Sequence, residues 1–182
     1  MVVLRSTGKL LASLPARSGP VAPSDTALGD WYVNRLVIDR QPLLLLLSSR
    51  SLLAVLTPAR AVRTLPNRLP ALIAGRLQRL GVAPQLIDAE IRAMTPVVIA
   101  KTDDRSVVGF LVDFAKMIPY HLEADAWDER TLPSVEAKLA RTPCHAGKRF
   151  EDVIFPDRAA PKLLAERWHG VNGPRAASSK RP

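Results

Sequence analysis

The sequence predicts an α+β fold, a small, mainly antiparallel sheet packed by several helices. Three stretches carry that expectation. Trp31–Ile38 alternates and runs through Asp39-Arg40-Gln41-Pro42 into unbroken leucine at 43–47, which reads as two strands joined by a tight turn. Strands joined so closely must be antiparallel. Residues 96–100 are short, β-branched and bounded by proline and a polar run, the pattern of another strand. Between 104 and 118, Val107, Leu111, Phe114 and Ile118 recur on one line, so a long helix should lay an apolar stripe on one face of the sheet.

Taken in order, Val2-Val3-Leu4 opens the chain as a strand. Ser6-Thr7 then offers a capping hydroxyl to a brief helix bearing Leu10, Leu11 and Leu14, ended by Pro15. Residues 16–28 are rich in Pro, Ser and Gly and read as an exposed loop. The alternation of Trp31–Ile38 sets Trp31, Val33, Arg35 and Val37 on one face, with Tyr32, Asn34, Leu36 and Ile38 on the other. Ser48 and Ser49 are expected to cap a helix holding Leu52, Leu53, Val55 and Leu56, stopped by Pro58. A further helix follows Pro70 with Leu69, Leu72, Ile73, Leu77 and Leu80 as its stripe and Arg76, Gln78 and Arg79 off its centre, closed by Gly81. Helical pieces are also expected at 84–94, 133–139 and 162–168, with 144–157 irregular. Residues 1–170 read as one α+β domain and 171–182 as a disordered basic tail.

Composition narrows the function classes. With 182 residues, 47% hydrophobic and 24% charged, the chain suits a soluble globular domain rather than a disordered one. Its net charge of +9 is unevenly spread. Between 50 and 79 lie Arg50, Arg60, Arg63, Arg68, Arg76 and Arg79 without a single acid, whereas 123–136 is acidic. Such a run either forms a face that attracts an anionic macromolecule or is a solvated surface. A single cysteine, Cys144, excludes an internal disulfide and suits the cytoplasm. Arg5 and Lys9 interrupt any secretory leader, and the apolar runs at 43–47 and 52–56 are far below the roughly 20 residues of a membrane span.

The candidate chemistry is polar and sparse. Asp30, Asn34, Arg35, Asp39 and Arg40 stand beside Trp31 and Tyr32, and an aromatic next to guanidinium groups is one way to hold single-stranded nucleic acid. The structural alternative makes Trp31 core, gives Asp30 and Asp39 turn roles and pairs Arg35 with an acid. Residues 101–106 bridge a strand and a helix, where Lys101, Arg105 and Ser106 fit a phosphate contact. Asp103 and Asp104 favour a helix-cap reading there instead. Cys144-His145 lacks the frame of a catalytic dyad, and His121, His145 and His169 lack ligand spacing, so no catalytic residue, cofactor or metal is assigned. The carboxylate pairs Asp103/Asp104 and Asp128/Glu129 are adjacent in sequence and point apart.

The stretch 29–40, Gly-Asp-Trp-Tyr-Val-Asn-Arg-Leu-Val-Ile-Asp-Arg, followed by its apolar strand, resembles a motif of an uncharacterised bacterial family, domain of unknown function 6933. Residues 101–109 are similar to that family's second signature, in which asparagines are more usual than the two aspartates here. Residues 142–156 resemble its C-terminal end, while 58–70 match nothing in it. The resemblance implies the extent of the domain and no activity.

The expected function is a non-catalytic, cytosolic binding module with a basic surface that engages nucleic acid, using Trp31, Asn34, Arg35, Arg40, Lys101 and Arg105. One alternative is a metal-independent enzyme acting on RNA or another phosphoester through Asp30, Arg35, Arg40, Lys101 and Arg105. Another is a protein-interaction module, marked by an exposed apolar patch.

Overall fold

The structure, a computed structural model, describes residues 1–15, 19–60, 62–122, 128–145 and 152–169. Val2–Ser6 forms β1, Trp31–Ile38 β2, Gln41–Ser48 β3, Ala54–Pro58 β4 and Val97–Lys101 β5, and the strands lie side by side in the order β4-β3-β2-β1-β5. The antiparallel ladders dominate, pairing eight positions between β2 and β3 and five between β3 and β4. β1 is parallel to both of its neighbours, with three positions paired to β2 and five to β5.

The β2–β3 hairpin turns on two residues. Ile38 pairs with Gln41, and Asp39 (φ 49°) and Arg40 (φ 64°) both sit in the left-handed region. That is a type I′ turn, whose twist matches the strands it joins.

The helix expected around Leu52–Leu56 is instead β4. Its residues satisfy a helical stripe and a doubly buried strand equally well, and a run this short cannot be resolved by periodicity. Tertiary pairing decides, because β3 needs a partner on its free edge. Ser48 and Ser51 make the turn between the strands. The Ser48 hydroxyl donates to the Leu28 carbonyl (2.7 Å) and accepts from the Ser51 amide (3.1 Å), and Leu52 turns the chain at φ 56°.

Both faces of the sheet are covered, which corrects the expectation of helices on one face. Trp31, Val33, Leu44 and Leu46 pack against Leu65, Leu69, Ile73 and Leu77 of α2 (Leu65–Arg79), Ile87 of α3 (Pro84–Ala93) and Leu164 of α4 (Pro156–Trp168). On the opposite face Tyr32, Leu43, Leu45 and Leu47 meet Val107, Leu111, Phe114 and Ile118 of α5 (Arg105–His121) and Val135 and Leu139 of α6 (Leu132–Ala140). The five leucines 43–47 are all fully buried, alternating between the two cores. Each contributes about 1.5–3 kcal/mol by leaving water. A sixth α-helix among the described residues, the short α1 (Gly8–Leu11), adds Leu10 to the first core.

Several boundaries differ from expectation. α2 starts at Leu65, with Pro66 in its first turn and Pro70 inside it, so proline initiates this helix rather than delaying it. α4 likewise begins at Pro156. A short antiparallel ladder of two positions pairs Cys144–His145 with Val153–Ile154 where the sequence read as irregular. Thr7 makes no side-chain cap on α1. Gly81 does close α2 (φ 73°), its amide and that of Val82 returning to the last-turn carbonyls of Gln78 (2.9 Å) and Leu77 (3.1 Å). The expected tail at 171–182 and residues 123–127 of the acidic stretch lie outside the described residues. Among the described residues no helix is long and apolar enough to cross a membrane.

Candidate binding cleft

Alternation along β1 turns Arg5 toward the α5 face, where it is buried and needs a counter-charge. Asp30, the residue just before β2, receives the Arg5 Nε–H in a short charged hydrogen bond. The other carboxylate oxygen of Asp30 accepts from the Ser24 amide (3.0 Å) and hydroxyl (2.6 Å), and the same hydroxyl accepts from the Val3 amide (2.8 Å). A guanidinium N–H of Arg5 reaches Asp103 Oδ2 (2.8 Å) and the Lys101 carbonyl (3.2 Å). The Tyr32 hydroxyl donates to Asp103 Oδ1 (2.6 Å) and accepts from the Asp104 amide (3.3 Å). Asp104 turns its own carboxylate the other way and caps α5, accepting from the amides of Ser106 (2.8 Å) and Val107 (3.3 Å). The cap reading of Asp104 is thus observed, while Asp103 is a partner of Arg5 and Tyr32.

These groups floor a cleft of about 530 Å³ whose rim includes Arg50 and Arg105. Gly29 lets the chain enter β2 here. Its φ is +76°, and an added Cβ would stand 2.5 Å from the Ser49 hydroxyl oxygen. Burial, followed by the hydrogen bond to the Asp103 carboxylate, pushes the Tyr32 phenol well above its ordinary value. At neutral pH it is therefore a fixed donor, far from the range in which a side chain exchanges a proton readily. Arg5 is matched by two carboxylates, the buried Asp30 and the largely exposed Asp103, so the floor carries one surplus negative charge while the cations Arg50 and Arg105 stand on the rim.

The residues expected to bind fall in different places. Trp31 is fully buried, so its ring offers no stacking surface. Asn34 Oδ1 accepts from the Thr7 hydroxyl (3.1 Å). Arg35 is exposed because β2 outruns β1, whose last paired position is Ser6 with Val33. It makes no ion pair among the described residues, in place of the acidic partner that burial would have demanded. Ser6 pairs with both Val33 and Lys101, which puts Lys101 on the same sheet face as Val33 and Arg35. Arg105 lines the cleft, whereas Arg40 lies at the hairpin tip in a separate cavity with Arg60 and Arg130. The five residues of the enzymatic alternative are accordingly not gathered in one hollow.

The acid-free arginine run acquires acids in space. Arg60 pairs with Glu129 (3.1 Å), and the buried Glu136 takes Arg79 (2.7 Å) and Arg76 (3.6 Å). Burial lowers the Arg76 pKa, the charge of Glu136 opposing that shift. Glu136 also accepts from the Leu56 amide on the sheet edge (2.8 Å), so this cluster fixes α6 on β4. Arg50 and Arg63 stay exposed and free of ion pairs among the described residues.

Sequence reasoning missed Arg5 and Ser24. The signal available for Arg5 was the one applied to Arg35, a charge set within a strand. Fold and cleft together define an α+β domain in which one arginine locks the start of β2 to the segment after β5. The chain belongs to the family described as Domain of unknown function (DUF6933), whose model matches residues 3–159. Comparison with curated proteins and with solved structures finds no match.

Proposed function

We propose that this chain is a non-catalytic binding module that engages nucleic acid through its phosphates. The supporting observation is a set of exposed cations, Arg35 within β2, Lys101 at the end of β5, and Arg50 and Arg105 on the cleft rim, none of them in an ion pair among the described residues. Their charge is available to a partner because the buried Arg5 is already taken by Asp30 and Asp103, so none of these four cations is needed to neutralise it. With Trp31 buried, recognition rests on phosphate contacts, which read no sequence and weaken steeply with salt. A cytoplasmic setting accords with a lone, buried Cys144, whose thiol burial pushes up to about 11, well away from reactivity. An electrophoretic shift assay at low salt with single-stranded RNA and duplex DNA tests this reading. Retarded bands that fade as salt rises are expected, and a blank lane with both nucleic acids overturns it.

A further inference from the structure

Arg40 occupies the second position of the type I′ turn, with φ 64°, where glycine is the unstrained choice. A long side chain held in the left-handed region is disfavoured and marks a position worth explaining. Its surroundings supply an explanation. Arg40 lines a cavity of about 370 Å³ together with Arg60, Asp128, Glu129 and Arg130. Two of the three guanidinium groups are steadied by an acid, Arg60 by Glu129 (3.1 Å) and Arg130 by Asp128 (2.9 Å). Asp128 is itself held by the backbone amides of Arg130 (2.7 Å) and Thr131 (3.2 Å), so Arg130 is tied to a fixed point. Arg40 makes no ion pair among the described residues and is the uncompensated charge of the group. Each acid engages one edge of a guanidinium, which leaves the remaining N–H groups to donate elsewhere.

We propose that this hollow at the hairpin tip is an oxyanion site for a phosphate group, in which Arg40 supplies the unmatched charge while Arg60 and Arg130 close around the oxygens. Three arginines line this one small hollow, with Arg60 and Arg130 largely exposed to solvent, and guanidinium groups suit the oxygens of phosphate, which accepts paired N–H donors. Glu129 and Asp128 limit the net charge to one, so the affinity is modest. The site stands apart from the cations of β2, β5 and the cleft rim and does not depend on them.

The test is titration of the full chain at low ionic strength, followed by NMR or calorimetry, with inorganic phosphate, with phenyl phosphate as a monoester and with dimethyl phosphate as a diester. Saturable binding of the free ion or of the monoester supports the site, and the tighter of the two identifies the source of the phosphate. Arg40→Gly is the decisive variant, because it relieves the turn. It should melt at a higher temperature than the parent while binding at least about tenfold more weakly. Glu129→Gln, which removes a competing anion, should bind more tightly. Absence of saturation with both phosphates, an equal response to the diester, or unchanged binding in Arg40→Gly overturns the proposal.

Discussion

Arg5 is the residue on which the cleft depends. Its side chain is 9% exposed and that of Asp30 is 11% exposed, so each would be a costly isolated charge without the other. Removing one partner of a buried pair destabilises by about 3–5 kcal/mol. Asp30→Asn should fall near the lower end of that range, since Asp103 still faces Arg5, and urea denaturation at neutral pH measures it. Tyr32 gives a second handle. Its phenol is raised in the folded state relative to an unfolded value near 10, so the folded chain holds the proton that the unfolded chain releases. The stabilisation is complete below about pH 10 and is lost as pH rises beyond it. Tyr32→Phe should therefore melt with a shallower loss of stability above pH 10 than the parent. At this scale little was legible. Trp31 as a core ring and Asp104 as a cap follow from local rules, whereas the marriage of Arg5 to Asp30 and Asp103 depends on which strand lies beside which.

At the scale of elements, the stretch 29–40 is explained by the hairpin it builds. Gly29 takes a positive φ and lies against Ser49, Asp30 anchors Arg5, Trp31 and Tyr32 fill opposite cores, and Asp39-Arg40 makes the turn. Gly29→Ala meets both the left-handed backbone and a 2.5 Å contact, so it should cost about 1–3 kcal/mol, read as a fall in Tm. The alternation of β2 was legible from its own pattern, and the leucine run of β3 was legible through the tight turn that joins it to β2. β4 was not, because Leu53, Val55 and Leu56 suit either a helix or a strand until a neighbouring ladder needs them. Prolines 66, 70 and 156 hid the starts of two helices for a related reason. Proline stops a helix from within but opens one from its first turn.

For the whole molecule, the α+β class was legible from the mixture of strand and helix periods, and the second helical layer was not. A run of five buried leucines demands cover on two faces, and that demand was the available clue. Charge behaves the same way. The arginines of 50–79 look unmatched along the chain, yet Glu129 and Glu136 come from another part of it, which leaves β2, the end of β5 and the cleft rim as the cationic surface. The functional account stands on that remainder. Its most direct test is a fluorescence anisotropy titration of labelled single-stranded RNA, across a series of salt concentrations, with the parent chain and with the triple variant Arg35→Ala, Lys101→Ala, Arg105→Ala. The parent should bind at low salt, and its log–log slope should be about 2 units steeper than the variant's, from about 0.7 per lost phosphate contact. The variant should also bind more weakly, with an unchanged Tm. A parent chain that does not bind, or a variant that binds with the same affinity and slope, would contradict the account.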